Sequence, residues 1–300
     1  VDITIDGVLY ESVGIRLKGN SSLRGALSMQ MGNKANNVPQ EFSENDYDTP
    51  FMIKFDEYVD QDFMGYTQLS LRAQFNDTTA MQEILSYEIL HDMGITAPSI
   101  VYGTVNMNGE GEQLYMLCEV INDEFIEEYM GDEVGDLFKS SGGGHMVYYD
   151  DDPTSYETYE LQTNEGSSDL YDLIEMFEFF AEATEEEFLA EIDTYMDMDV
   201  YIEYLAFCNI LVNLDSFAGN GNNYYLYQDP ESEQFMVIPW DLNEAFGRFG
   251  GLEESRTELG LYFEEYKMRQ GGGQGGMKPP GGGGMMPPEG GMMGPPPEGG

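Results

Sequence analysis

The sequence predicts an α+β fold with a sheet-rich first part and a helical second part, and three observations predict it. Residues 1–19, VDITIDGVLYESVGIRLKG, alternate apolar and polar side chains at the period of a half-buried strand. From Asn122 onward the apolar spacing turns helical, in segments rich in Asp and Glu. Within that helical part, residues 213–247, NLDSFAGNGNNYYLYQDPESEQFMVIPWDLNEAFG, read as a hairpin with an aspartate at each end.

Along the chain, the first alternation folds back at Asp6-Gly7, a dipeptide suited to a tight hairpin turn, and runs into the polar loop NSSLRG. Residues 26–49 carry little pattern. Strands are expected at Phe51–Phe55 and Gln68–Arg72, followed by a helix over Thr78–Met93 with its cap at Asn76-Asp77 and its stop at Gly94. Two more strands, Ser99–Met107 and Gln113–Val120, turn at Asn108-Gly109. Acidic helices are expected near 123–130, 168–182, 184–197 and 198–212, with a loop at 140–167 that contains GGG and DDDP. The hairpin Asn223–Pro239 turns through Asp229-Pro230. Residues 271–300, with 14 Gly, 7 Pro and 5 Met, lack the apolar surface to offset ordering entropy, so a disordered tail is expected after about Arg269. The resulting division is a sheet-rich domain over 1–120, a helical domain over 121–269 and a tail over 270–300.

Composition removes several classes of function. With 300 residues, 41% of them hydrophobic, the chain can bury a core as one large domain or two lobes. No apolar run reaches the roughly 18 residues that a bilayer-crossing helix needs, and the N-terminal segment shows no signal peptide pattern. Twelve Lys and Arg against 57 Asp and Glu give a formal charge of −45, a field that repels nucleic acid and anionic lipid and favours cations or basic protein segments. Cys118 and Cys208 sit in apolar contexts and make no disulfide framework, and two distant histidines support neither a zinc site nor a Ser-His-Asp hydrolase. Because Lys139 is the only basic residue between Arg72 and Arg248, a cation on an apolar strand has a purpose other than surface decoration.

The polar constellation of the hairpin fits phosphoryl transfer from a nucleotide. Asp215 follows the apolar run YIEYLAFCNILVNL and stands five residues before Asn220, the Asp-to-Asn spacing of a protein-kinase catalytic loop. Asp241 follows the apolar strand FMVIPW, which delivers a carboxylate at its end. Mg²⁺ takes a few carboxylate or amide oxygens together with phosphate and water, and Asp241 with Asn220 or Asn223 would supply them. For the phosphates, Lys54 between Ile53 and Phe55 is one candidate, since a lysine among apolar neighbours is costly unless paired or set over a ligand. Glu83 or Glu88 on the following helix has the spacing to position it. Arg16, Lys18 and the segment GNSS form a second possible phosphate contact.

The runs IRLKGNSS, PFMIKFDEY, LRAQFNDTTAMQEILSYEILHDMGI, VNMNGEGEQLYMLCEVINDEFI, GDLFK, NLDSFAGNGNNYYLY and VIPWDLNEAFG, in this order over about residues 13–247, resemble the CotH kinase family, named for spore coat protein H. The resemblance implies an atypical protein-kinase-like fold of two lobes that holds ATP and Mg²⁺ or Mn²⁺ between a sheet-rich N-terminal and a helical C-terminal lobe and transfers phosphate to Ser or Thr of protein partners. It implies Lys54 as the ATP phosphate contact, Glu83 as its support, Glu119 near the nucleotide where the lobes join, Asp215 as the catalytic aspartate, and Asp241 with Asn220 or Asn223 at the metal. Asn243 and Asn222 stand where the family pattern leads one to expect an acidic residue and a histidine. Two alternatives stay open, a surface or coat interaction protein with a pseudokinase fold, and transfer of an adenylyl or glutamyl group. The resemblance and the acidic composition imply a location outside the cytoplasm, at a cell surface or in a spore coat, and Lys- or Arg-rich protein substrates.

Overall fold

Asp6 and Gly7 both take positive φ, 49° and 84°, the twist that closes a two-residue hairpin, and they join β1 (Ile3–Ile5) to β2 (Val8–Tyr10). The computed structural model describes residues 1–19, 49–73, 77, 79–109, 111–131 and 133–249. The weakly patterned segment before Thr49, the loop beyond Gly19 and the tail lie outside the described residues, all of which belong to the compact unit Val1–Phe263.

A five-stranded antiparallel sheet follows, built from β3 (Gly14–Leu17), β4 (Phe51–Lys54), β5 (Gln68–Arg72), β6 (Ile100–Asn106) and β7 (Glu112–Glu119) in the order β3-β4-β5-β7-β6. Alternation gives each strand two faces. One face carries Ile53, Leu69, Leu71 and Tyr115 into a small core with Val13 and Phe55. The other carries Arg16, Met52 and Ser70 side by side, in register, with Arg72 two residues further along β5 and Lys18 just past the end of β3.

Helix α1 (Gln82–Met93) begins later than the expected Thr78, which lies outside the described residues. Ala80 sits at φ 59°, so the chain cannot yet be helical there, and the Asp77 carboxylate instead accepts from the N–H groups of Thr79 (2.9 Å) and Gln82 (2.8 Å). Gly94 ends the helix at φ 80°.

The second part holds more sheet than expected. Helices α2 (Asp123–Tyr129), α3 (Tyr171–Glu182), α4 (Glu185–Tyr195) and α5 (Met198–Ile210) fall where the apolar period places them, with Asn122, Thr184 and Asp197 as side-chain caps and a full capping box at Thr184/Glu187. A one-turn helix α6 (Phe217–Asn220) interrupts the NLDSFAGN segment. Strands β8 (Asp136–Ser140) and β9 (Tyr159–Leu161), in regions read as connection and loop, join β10 (Tyr224–Gln228) and β11 (Phe235–Pro239) in a four-stranded antiparallel sheet of order β11-β10-β8-β9. The hairpin is therefore half of a sheet. The larger core lies against it, with Phe138, Leu226 and Val237 packed among Phe177, Tyr204 and Phe207 of the helices. Each such side chain contributes about 1.5–3 kcal/mol on burial, which fixes the sheet that carries the polar residues.

The close approach of β8 to β10 is testable at Gly135, where a Cβ would meet the Gln228 carbonyl oxygen at 1.9 Å, whereas at Gly166 it would meet nothing within 4 Å. Gly135→Ala is expected to destabilise the fold by about 1–3 kcal/mol in urea denaturation, while Gly166→Ala leaves the midpoint near that of the parent chain.

Candidate functional site

Where the polar face of the five-stranded sheet meets β8, β10 and the segments flanking β11, they enclose a cavity of about 1370 Å³. The sheet supplies Arg16, Lys18 and Arg72, and β8 supplies Lys139. Opposite them stand Asp215 and Asp241. Of the six Lys and Arg among the described residues, five line this cavity, Arg248 being the fifth and Lys54 the exception.

Arg72 is the fixed point of the site. Its Nε lies 2.9 Å from Glu83 Oε1 on α1, its Nη2 donates to Asp241 Oδ1, and its guanidinium lies 4.7 Å from the centre of the Trp240 ring. Burial opposes its charge, but Asp241 and Glu83 hold its pKa well above the ordinary value. Burial pushes Glu83 upward, to about 7, against the pull of Arg72. Asp241 keeps 39% of its side chain exposed, so one side engages Arg72 while the rest faces the cavity.

Lys18 donates to Ser70 Oγ at 2.6 Å and lies 4.9 Å from the Trp240 ring centre. Burial first, and then the neighbouring Arg72, lower its pKa to about 8, with Asp241 acting the other way. Trp240 packs edge-on against Tyr225 (5.9 Å), over whose ring Lys139 Nζ lies at 5.9 Å. Three cations are thus held on two aromatic rings.

The Asp215 loop is positioned by amides. Asn220 Nδ2 donates to Asp215 Oδ1 (2.6 Å) and Asn223 Nδ2 to the Asp215 carbonyl (2.9 Å). Burial raises the Asp215 carboxyl above its ordinary value, the Asn220 bond opposes this, and the charge of Asp241 adds to it. Backbone bonds tie the segment after β11 to this loop, from Phe246 N to Leu211 O (2.6 Å), Gly247 N to Val212 O (3.3 Å) and Trp240 N to Asn223 O (3.1 Å). Val212, Asn223 and Asp241 all take positive φ, 49°, 57° and 54°, and for β-branched Val212 that is a costly conformation held by its surroundings.

Among the buried polar atoms without a hydrogen-bond partner in the described residues are Arg72 Nη1 and Asn220 Oδ1. One is a donor fit for an anion; the other is an oxygen fit for a hard cation. Asp215 and Asp241 bring carboxylate oxygens to the cavity and Asn220 has an amide oxygen behind Asp215, donors of the type a Mg²⁺ or Mn²⁺ ion takes along with phosphate and water, although no group of three or more His, Cys, Asp or Glu among the described residues forms a protein-only metal cage.

Among the expected site residues, Arg16, Lys18, Glu83, Asp215, Asn223 and Asp241 line the cavity, and Asn220 contacts Asp215 behind it. Lys54 corrects the expectation of a Lys54–Glu83 pair. It lies on the same strand face as Met52 but at the far end of β4, where its ammonium meets Glu57 (3.5 Å) and Asp56 (4.0 Å), and Arg72 takes its place beside Glu83. The signal for Arg72 was its own position, an arginine ending the alternating strand QLSL in a chain with few cations. Glu119 does not reach the cavity. Its carboxylate accepts from Ser99 N (2.6 Å), Tyr66 OH (2.7 Å) and Tyr129 OH (3.1 Å), and its neighbours Val120, Ile121 and Asn122 form the wall instead.

Fold and site together define an α+β protein in which two antiparallel sheets enclose one cavity lined by cations and an aspartate pair. The family profile described as CotH kinase protein matches residues 15–277, and the chain belongs to that family. It is similar to the inner spore coat protein H of Bacillus subtilis, 26% identical over 223 residues that cover 70% of this chain and 56% of that protein. It is also similar to invasin CotH2 of Rhizopus delemar, 21% identical over 222 residues that cover 69% of this chain and 37% of that protein. The chain thus spans about half the length of the first relative and about a third of the second. Among the described residues no helix is long and apolar enough to cross a membrane.

Lys18 links the site to stability. Between pH 8 and 10.5 the unfolded chain keeps a proton that the folded chain has lost, so this lysine's contribution to stability rises with pH across that window. Lys18→Met is expected to stabilise the protein by about 1–3 kcal/mol at pH 7 and to flatten the rise, as read by urea denaturation at both ends of the window. The same variant should weaken binding of inorganic triphosphate about tenfold in calorimetry, since a charge-assisted contact is lost.

Proposed function

We propose that this chain is an ATP- and divalent-cation-dependent protein kinase, with the two sheets acting as the two lobes of a kinase-like arrangement around the cavity. The observation that carries this reading is the gathering of five of the six described cations around the Asp215–Asp241 pair, in a chain whose formal charge is −45. Such a protein has little use for a cationic cavity unless the ligand is a strong anion.

In the proposed reaction the hydroxyl oxygen of a Ser or Thr forms a bond to the terminal phosphorus of ATP. The bond from that phosphorus to the bridging oxygen breaks, its electron pair stays with ADP, and the hydroxyl proton passes to the Asp215 carboxylate. Asn220 and the Asn223 contact to the Asp215 backbone hold that carboxylate in place, and its raised pKa makes it a better proton acceptor than an ordinary aspartate. A bound divalent cation would neutralise phosphate charge beside Asp241 and Asn220 or Asn223. Lys18, Arg16 and Arg72 bind the phosphates, and the Arg72–Glu83 pair keeps Arg72 oriented. The acidic exterior suits Lys- or Arg-rich acceptor proteins. The relatives' names, a spore coat protein and an invasin, support a coat or surface location for this chain too.

The contact between Arg72 and Asp241 favours a second reading, in which the arginine substitutes for the cation and the protein binds partners without catalysis. Labelled ATP with Mn²⁺ or Mg²⁺ separates the two. Transfer to the chain or to an added basic protein is expected, and Asp215→Asn and Asp241→Asn should each lower its rate at least about a hundredfold while remaining folded. Undiminished transfer in either variant would remove that residue from the mechanism, and absence of transfer in the parent chain would favour the binding-only protein.

A further inference from the structure

We infer that Lys139 is a further catalytic residue, the group that touches the terminal phosphate of the nucleotide on the acceptor side of the cavity. The inference rests on the kinase reading for its chemistry, and on the following geometry for its place.

Lys139 stands in the middle of a cross-strand row, Tyr225, Lys139 and Glu160, and all three side chains line the cavity. In a protein so rich in carboxylates a lysine directly opposite a glutamate ordinarily pairs with it. Lys139 does not: none of the ion pairs among the described residues includes it, and its ammonium lies over the Tyr225 ring instead. It keeps its hydrogen-bonding capacity for something that enters the cavity.

Its ring and its strand distinguish it from the other cations. Lys18 and Arg72 gather on Trp240, next to Asp241. Lys139 precedes Ser140, whose Oγ donates to the Gly221 carbonyl (3.2 Å), and Gly142 N donates to Asn222 Oδ1 (3.3 Å). These bonds fasten the strand end that carries Lys139 to the loop that carries Asp215. An ammonium that lines the same cavity as Asp215, on a strand end fastened to the Asp215 loop, is placed for the end of the phosphate chain that meets the acceptor hydroxyl. There it offsets the charge that spreads over the terminal phosphoryl oxygens as the bond to the acceptor oxygen forms and the bond to the bridging oxygen breaks. Lys18 and Arg72 hold the phosphates that remain with ADP.

Calorimetry with ATP and with ADP, each with Mg²⁺, on the parent chain, Lys139→Met and Lys139→Arg tests this without needing turnover. Lys139→Met is expected to lose about tenfold in ATP affinity while its ADP affinity stays unchanged, and Lys139→Arg to recover most of the difference. Where the parent chain transfers phosphate, kcat of Lys139→Met should fall about a hundredfold, with an unchanged urea midpoint. Equal losses for ATP and ADP, or no loss for either, would overturn the assignment. A parent chain that binds ATP more tightly than ADP, loses that difference in Lys139→Met and never transfers phosphate would sink the kinase reading and leave the contact standing.

Discussion

The buried guanidinium of Arg72 is the constraint on which the site depends. It joins the end of β5 to Glu83 on α1 and to Asp241 beyond β11, so two neighbouring elements and a third far along the chain meet on one charge. A buried charge is expensive to desolvate, and taking away one partner of a buried pair costs about 3–5 kcal/mol because the other stays stranded. The arrangement is therefore a poor way to gain stability and a good way to specify position. It fixes Asp241 near Asp215, and it leaves Arg72 Nη1 without a hydrogen-bond partner beside the cavity.

Backbone bonds complete what Arg72 begins. The chain after β11 hydrogen-bonds to the chain before Asp215 through Phe246 and Gly247, and Trp240 N bonds to Asn223 O, so the two aspartates belong to one strapped unit. Positive φ values at Val212, Asn223 and Asp241 mark where the backbone is bent to achieve this. Strain of that kind persists when the surroundings over-determine it, and here the surroundings are the packed core beneath the four-stranded sheet.

Most of the elements were legible in the sequence because local rules set them. Alternation and turn residues placed the early strands, and apolar spacing with Thr184 and Asp197 as caps placed the late helices. Strands β8 and β9 escaped because they are short and are defined by partners far along the chain, Tyr225 for Lys139 and Lys139 for Glu160, which no local pattern reveals. The aspartates and amides of the hairpin could be found from spacing. Lys54 could not be told from Arg72 on the same basis, since both are cations ending strands on the same sheet face. Only the sheet order and the turn carboxylates Asp56 and Glu57 separate them.

Trp240 is the one tryptophan of the chain, it lines the cavity, and both Lys18 and Arg72 lie over its ring. Its fluorescence therefore reports directly on whether an anion enters beside those cations. Titration with ATP should change the indole emission saturably when Mn²⁺ or Mg²⁺ is present, and the affinity should collapse when EDTA removes the metal. An emission that does not respond to ATP, or a response of equal affinity in EDTA, would contradict the claim that this cavity takes a nucleotide together with a divalent cation.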